Sequence, residues 1–135
     1  MKLVMANGCF DVLHVGHIEH LQQARWMGDK LIIALTTDDG VRREKGTDRP
    51  IVPWCDRCAV LMAMEMVDGV VPSENAAEAI LLYRPSIYVK GIDYAASGVC
   101  VDDRTACLAV GAEIAFTTSL KHSSTAMIEK IRGLK

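Results

Sequence analysis

Long hydrophobic runs and long runs of positive charge are both missing from this chain of 135 residues. No apolar stretch approaches the roughly 20 residues of a membrane-spanning helix, so we expect no membrane partner. Lys and Arg number 15 against 17 Asp and Glu, which gives a net charge of −2 and argues against bulk nucleic-acid binding. The N-terminus shows no signal-peptide pattern, and these absences together favour a cytoplasmic protein.

The chain has five cysteines, which is an odd number. An odd count without an export signal indicates reduced thiols, as in the cytosol, and not a disulfide framework. Hydrophobic residues make up 50% of the chain and charged residues 24%, which suits one globular domain over residues 1–135 with a core of its own. The cysteines are Cys9, Cys55, Cys58, Cys100 and Cys107.

Short apolar runs alternate with helical patterns along the whole chain. We predict strands over residues 2–6, 30–37, 69–71, 87–89 and 113–117. We predict helices over residues 15–27, 53–67, 74–83 (with Ser73 as N-cap) and 102–110, and a last helix opened by residues 123–125, with one apolar stripe of Met127, Ile128, Ile131 and Leu134. This alternation predicts an α/β fold, a single Rossmann-like domain of three layers with a five-stranded, mostly parallel sheet.

Four of the predicted strands are followed by segments rich in polar side chains. These segments are residues 7–17, 38–45, 90–94 and 121–125. In open parallel sheets, ligands bind beyond the carboxyl ends of the strands. We therefore expect the four segments to meet at one binding edge.

His14 and His17 lie three residues apart, with Gly16 between them, at the predicted start of the first helix. Free N–H groups and the positive dipole end favour anions there, and Gly16 allows close approach of a phosphate to the backbone. Two imidazoles can donate hydrogen bonds to oxygens that gain charge during a reaction. Two unrelated surface histidines, or a pair of metal ligands, are the alternatives at this point.

Residues 38–50 are polar and basic, and we predict a loop of functional length. Lys45, with Arg42, Arg43 and Arg49 around it, would close over a triphosphate or a phosphorylated acceptor. A solvated charged loop is the competing interpretation. The carboxylates nearest the binding edge are Asp11, Asp38 and Asp93, which suit ribose hydroxyls or Mg²⁺.

A second interpretation of the chain's function comes from the segment Trp54-Cys55-Asp56-Arg57-Cys58. Cys-x-x-Cys at a helix start is typical of dithiol oxidoreductases and not of phosphate-binding enzymes. It follows a loop here, and not an apolar strand. A redox function would also leave the histidine motif and the other polar segments unexplained.

The run from Asn7 to His17 resembles the cytidylyltransferase-like nucleotidyltransferase superfamily, whose His-x-Gly-His signature appears as His14-Val15-Gly16-His17. Further similar segments are Lys45-Gly46 with Arg49-Pro50 and Pro53, Arg57, the run Val89-Lys90-Gly91-Ile92-Asp93-Tyr94, and Ser123-Ser124-Thr125. Two branches look most similar, the heptose-1-phosphate adenylyltransferases and the glycerol-3-phosphate cytidylyltransferases. The latter carry an arginine in the last loop that residues 118–125 lack, which favours the sugar-phosphate branch.

The resemblance implies a nucleotidyltransferase that moves a nucleoside monophosphate from ATP or CTP to a small phosphorylated acceptor, with Mg²⁺ on the triphosphate and often a homodimer. It implies that His14, His17 and Lys45 are catalytic and that Lys45 also contacts the acceptor. From their place at the binding edge, we expect Asp11 and Asp38 to contact the acceptor as well. The implied nucleotide-binding positions are Cys9, Phe10, Gly16, Arg57, Lys90, Gly91, Asp93, Ser123, Ser124 and Thr125. Outside this class, a nucleotide-binding regulatory module and a dithiol oxidoreductase are the alternatives.

Overall fold

Five strands form one sheet in the computed structural model, which describes residues 1–118 and 124–134. The strands are β1 (Leu3–Gly8), β2 (Lys30–Thr36), β3 (Gly69–Ser73), β4 (Ile87–Gly91) and β5 (Glu113–Thr117). They lie in the order β3-β2-β1-β4-β5, and each pairing between neighbours is parallel. The predicted five-stranded sheet is confirmed, and every pair in it is parallel.

Helices cover both faces of the sheet. They are α1 (Val15–Trp26), α2 (Asp38–Lys45), α3 (Trp54–Met62), α4 (Ala76–Tyr83), α5 (Asp93–Ser97), α6 (Val101–Val110) and α7 (Ser124–Arg132). Leu21 of α1 and Leu61 of α3 belong to the core cluster on one face, whereas Ile80 of α4 and Cys107 of α6 belong to the cluster on the other. The predicted three-layer, Rossmann-like α/β fold is confirmed.

The strands are apolar on both sides because each side packs against helices. Val4 and Ala6 of β1 lie in the cluster with α1, and Met5 between them lies in the cluster with α4. Successive side chains of a strand point to opposite faces, so three consecutive buried residues fill two cores. Among the described residues, none of the helices is long and apolar enough to cross a membrane.

The prediction of a loop over residues 38–50 is wrong for its first half, because residues 38–45 form α2. Thr37 caps this helix, because its Oγ1 accepts a hydrogen bond from the N–H of Gly40 at 3.1 Å. Acidic residues occupy the first turn and basic residues the last, which suits the helix dipole. The run of charge that indicated a solvated loop therefore stabilises a short helix, and only the segment after Lys45 is irregular.

Two other predicted boundaries also need correction, and one helix was not predicted. The N-cap of α4 is Asn75, whose Oδ1 accepts from the N–H of Ala77 at 2.9 Å, because β3 continues through Ser73. Helix α3 ends at Met62 and not near residue 67, and the short α5 has no counterpart among the predicted helices.

The predicted apolar stripe of α7 is largely solvent-facing. Ile128 is 9% exposed, whereas Met127, Ile131 and Leu134 are 38%, 59% and 71% exposed. The periodicity identified the helix correctly, but one residue of the stripe reaches the core.

The order of the strands creates a switch point between β1 and β4. The chain moves from β1 outward to β2 and β3, and then returns to the other side of β1 for β4 and β5. The loops after β1 and β4 therefore diverge over opposite faces and leave a crevice between them. The His14-Val15-Gly16-His17 motif follows β1 and lies beside this crevice.

Candidate active site

A cleft of about 910 Å³ opens at the carboxyl edge of the sheet. Residues that follow each of the five strands contribute to its lining. The predicted site residues among them are Cys9, Phe10, Asp11, His14, His17, Lys45, Lys90, Gly91, Ser124 and Thr125. Gly16, Asp38, Arg57 and Asp93 do not line it, and the predicted position Ser123 lies outside the described residues, as do Lys121 and His122.

His14 and His17 form a reciprocal cap at the start of α1. His14 Nδ1 accepts from the N–H of Gly16 at 3.1 Å, and His17 Nδ1 accepts from the N–H of His14 at 3.2 Å. The two rings stack with centroids 3.9 Å apart. A neutral imidazole whose Nδ1 accepts a hydrogen bond carries its proton on Nε2. Each ring therefore carries its proton on Nε2, and both side chains line the cleft.

The environment of His17 keeps its ring neutral. Burial, followed by the neighbouring His14, His20 and Lys45, lowers the pKa of His17 to about 4. The ring of Phe10 packs beside that of His17, and the two ring centroids are 5.4 Å apart. A neutral donor of fixed tautomer at physiological pH suits stabilisation of an oxygen that gains negative charge.

His20 lies one turn further along α1 and does not line the cleft. Its Nδ1 is 2.6 Å from Oγ1 of Thr117, at the end of β5. Burial and the charge of Lys90 lower the pKa of His20 to about 4. His20 therefore links α1 to the sheet and supports the helix that carries His14 and His17.

Lys90 supplies a cation on the β4 side of the crevice. Its Nζ lies 4.3 Å from the ring centroid of Tyr94 and 6.0 Å from that of Tyr88. Burial lowers the pKa of Lys90, although the carboxylates of Asp103 and Glu44 oppose this shift. Tyr88 in turn donates a hydrogen bond to Asp103 at 2.9 Å. Lys90 is thus held by aromatic faces near the switch point.

Asp11 lines the cleft, but its carboxylate is occupied by protein groups. It accepts from Arg49 Nε at 2.7 Å and from the N–H groups of Ile51 and Val52 at 2.9 Å each. Burial alone would raise the pKa of Asp11, but the hydrogen bonds from Ile51, Arg49 and Val52 outweigh it and lower that pKa. Asp11 therefore fixes the loop after α2 against the loop after β1.

Arg57 and Asp38, expected from the sequence to contact ligands, lie beneath the cleft. Arg57 is 1% exposed, and its guanidinium donates to the carbonyls of Cys9, Thr36 and Val52 and to Asp38 Oδ1, at 2.7–2.9 Å. Asp38 Oδ1 also accepts from the N–H of Trp54 at 2.9 Å. The guanidinium joins the ends of β1 and β2 to the start of α3. Arg57 therefore holds the segments around the cleft in position.

The N-terminus of α7 closes the cleft from the side of β5. Ser124 Oγ donates to the carbonyl of Val12 at 2.7 Å, and Arg49 Nη1 donates to Thr125 Oγ1 at 3.2 Å. The hydroxyls predicted to cap phosphates thus also connect the last helix to the first loop.

Several cleft residues were missed by the sequence reasoning. Ser73, Glu74, Asn75 and Glu78 line the cleft after β3, and Asp102 and Asp103 line it at the start of α6. The rule that ligands bind at the carboxyl ends of parallel strands applies equally to β3, so the topology could have predicted these residues. They were missed because Ser73 was assigned as a helix N-cap and not as the end of a strand.

The Cys-x-x-Cys segment lies away from the cleft. Cys55 and Cys58 do not line it, and Cys58 packs against the core cluster of α1 and α3. We expect Cys55→Ser together with Cys58→Ser to keep the nucleotidyl transfer that the family resemblance implies within about threefold of the unmodified chain, because replacing a thiol by a hydroxyl outside the site changes mainly packing. Steady-state rates under reducing conditions measure this, and a loss of activity above tenfold would restore the dithiol hypothesis.

Comparison with known proteins identifies the family of the chain. A family model described as cytidylyltransferase-like matches residues 5–129. The chain belongs to the cytidylyltransferase-like family. This match confirms the resemblance that the His14-Val15-Gly16-His17 motif indicated, and the chain is a nucleotidyltransferase-like domain.

Curated relatives of the chain include proteins named Bifunctional protein HldE. Those of Methylococcus capsulatus and Alkalilimnicola ehrlichii are 42% and 43% identical over 135 residues, which cover 98% of this chain and 28% of each relative. That of Koribacter versatilis is 50% identical over 100 residues, or 73% of this chain and 21% of the relative. The chain therefore spans less than a third of the length of these curated relatives.

A solved structure shares the fold of this family member. The lipopolysaccharide core biosynthesis protein from Thermoplasma volcanium GSS1 has a TM-score of 0.73 and 23% identity, covering 90% of this chain and 99% of that one. At this identity the likeness supports the architecture of the sheet and helices.

Proposed function

We propose that this chain transfers a nucleoside monophosphate from ATP or CTP to a small phosphorylated acceptor, a sugar 1-phosphate of the heptose type, and releases pyrophosphate. The observation that carries the proposal is the reciprocal cap of His14 and His17. It fixes the tautomer and orientation of two imidazoles that line the cleft at the switch point of a parallel sheet, where ligands of this fold class bind.

In the proposed reaction, a phosphate oxygen of the acceptor attacks the α-phosphorus of the triphosphate. A new P–O bond forms as the bond to the pyrophosphate oxygen breaks, and the leaving pyrophosphate keeps that electron pair. No covalent enzyme intermediate is needed, so catalysis rests on positioning and charge stabilisation. His14 and His17 donate to oxygens that gain charge, and Lys45 and Lys90 hold phosphates from the two sides of the crevice.

Mg²⁺ is proposed to accompany the triphosphate. Nucleotide-bound Mg²⁺ is held mainly by phosphate oxygens and water, with one or two carboxylates. Asp102 lines the cleft and would offer a carboxylate to that water shell. Among residues 1–118 and 124–134, no group of three or more His, Cys, Asp or Glu side chains is arranged to hold a metal. When bound, Mg²⁺ neutralises charge on the phosphates.

Two features support a sugar 1-phosphate over glycerol 3-phosphate as acceptor. Residues 45–53 and 89–94 are similar to segments of heptose-1-phosphate adenylyltransferases, and residues 118–125 lack the arginine of the glycerol-3-phosphate branch. The curated relatives described above carry the name HldE. We further propose a cytoplasmic homodimer, and the five unpaired cysteines suit a reducing compartment.

The deciding experiment measures pyrophosphate release with ATP and CTP, each against heptose 1-phosphate, hexose 1-phosphates and glycerol 3-phosphate. We expect turnover with one triphosphate and a sugar 1-phosphate. Turnover confined to CTP and glycerol 3-phosphate would select the other branch. Nucleotide binding without turnover in any pair would favour a regulatory module.

A further inference from the structure

The side chains around the cleft differ in charge from one wall to the other. Arg43, Lys45 and Arg49 outnumber Glu44 and Asp11 on the side of α2 and of the loops after β1 and α2, which we call the cationic side. The opposite side, which we call the acidic wall, consists of Glu74 and Glu78 at the start of α4 and Asp102 and Asp103 at the start of α6, with Lys90 of β4 as a cation beside Asp103. Phosphates therefore prefer the cationic side and the neighbourhood of Lys90, and they are repelled by Glu74 and Glu78 at the β3 end of the acidic wall.

Ser73 sits at the β3 end of the acidic wall with an unsatisfied hydroxyl. The residue is 5% exposed, and it lines the cleft. Among the residues that the structure describes, its Oγ is the sole buried side-chain polar atom without a hydrogen-bond partner. A buried polar group left unpaired costs about 1–3 kcal/mol, so such a group at a cleft wall calls for a partner from outside the chain.

We infer that Ser73, Glu74, Asn75 and Glu78 form the pocket that recognises the hydroxyl groups of the acceptor. This inference rests on the proposed function, since it assigns the polyol part of the phosphorylated acceptor to the β3 end of the cleft. The phosphate of the acceptor would remain on the cationic side, near Lys45.

The four side chains supply the hydrogen-bonding pattern that vicinal hydroxyls require. Glu74 and Glu78 are exposed carboxylates that accept, and Ser73 can both donate and accept. Asn75 uses its Oδ1 to cap α4, which leaves its amide N–H₂ group as a donor toward the cleft. Neutral hydroxyls satisfy all of these groups, whereas a second phosphate would meet two carboxylates.

The sheet order separates this pocket from the nucleotide. The crevice between β1 and β4 is occupied by the triphosphate in the proposed function, and β3 lies two strands beyond β1. Neighbouring strands are about 4.8 Å apart, so the ends of β3 and β4 are separated by about 14 Å. A sugar ring joined to its phosphate can bridge much of that distance toward the α-phosphorus.

Ser73→Ala tests the pocket through two opposite changes. The substitution removes a hydroxyl that the ligand-free chain does not pair, so the melting temperature should stay equal or rise. The KM for the sugar 1-phosphate should rise about tenfold, with the KM for the triphosphate within about twofold, because only the acceptor loses a hydrogen bond. If Ser73 had only a structural role, Ser73→Ala would instead lower the melting temperature and would not raise the acceptor KM relative to the triphosphate KM.

Glu78→Gln provides the second variant, with Asp56→Asn as its matched control. Both are exposed acidic residues in the first turn of a helix, and Asp56 lies outside the cleft. We expect Glu78→Gln to raise the acceptor KM about tenfold and Asp56→Asn to leave it unchanged, since hydrogen bonds to a charged group are the stronger class. With methyl phosphate as acceptor, which has no hydroxyls, Glu78→Gln and the unmodified chain should behave alike.

The outcomes separate the pocket from the reaction. If the unmodified chain turns over no sugar 1-phosphate, the proposed function fails and the pocket fails with it. If it does turn over, but Ser73→Ala and Glu78→Gln leave the acceptor KM unchanged or raise the triphosphate KM equally, the reaction stands and the pocket assignment is overturned.

Discussion

His17→Ala is expected to reduce kcat by about two to three powers of ten, the effect of removing one preorganised donor to a developing charge. The substitution deletes the Nε2–H of a ring that lines the cleft and also the acceptor for the N–H of His14. Loss of a helix cap of this kind costs about 1 kcal/mol, which is small against the stability of a typical domain. The chain should therefore stay folded while turnover collapses.

Single-turnover rates and circular dichroism measure this result together. Gln22→Ala is the matched control, because Gln22 lies on the exposed side of the same helix. It should leave kcat within about twofold, as surface substitutions usually do. A loss below tenfold for His17→Ala would contradict the donor role assigned to the pair.

The low pKa of His17 also fixes the expected pH profile. Its pKa falls from 6.5 to about 4 on folding, so the ring stays neutral and donates through Nε2 at every pH well above 4. The unfolded chain binds a proton below pH 6.5 that the folded chain does not, so this group makes stability fall as pH drops from about 6.5 toward 4. We expect kcat to show no inflection from His17 between pH 5.5 and 8 in a pH–rate profile.

Arg57→Met is expected to destabilise the fold by about 3–5 kcal/mol, a range typical of breaking a buried charged network. The guanidinium is 1% exposed and satisfies three backbone carbonyls, those of Cys9, Thr36 and Val52. Methionine fills similar space but leaves those carbonyls without their donor. The free energy of unfolding from urea titration, measured without ligand, checks this value.

Arg42→Met is the matched control for Arg57→Met. Arg42 is an exposed residue of α2 that pairs with Asp39, and exposed pairs contribute about 0–1 kcal/mol. Arg57→Lys should be nearly as damaging as Arg57→Met, since one ammonium group cannot reach four acceptors. If Arg57→Met instead left the free energy of unfolding intact and raised only the KM for the triphosphate, Arg57 would be a phosphate ligand, as the family resemblance implied.

The parallel sheet and its layers were predictable because continuous apolar runs identify strands that are buried on both faces, and helical periods between them identify the helices that cover those faces. Helix α2 was missed because its stability comes from a Thr37 cap and the order of its charges, while its apolar content is small. The exposed stripe of α7 shows the converse limit. Periodicity reports that a helix forms, but it does not determine which of its apolar residues find a core.

The candidate site was predictable in the part that belongs to the motif around His14 and His17. The positions of Arg57 and Asp38 were not, because a charged side chain that pairs with carbonyls has the same sequence pattern as one that awaits a phosphate. Ser73 was hidden for a related reason. Serine at a strand end reads as a cap, and only three-dimensional packing shows that its hydroxyl has no partner.

The contacts of α7 with the first loop imply an order of events during protein synthesis. Ser124 contacts Val12 across 112 positions of sequence, and Thr125 contacts Arg49 across 76. Most of the sheet can therefore form on the ribosome while one side of the cleft is still untranslated. A nucleotide that needs the complete cleft would stabilise only chains in which α7 has emerged and contacts the rest of the cleft.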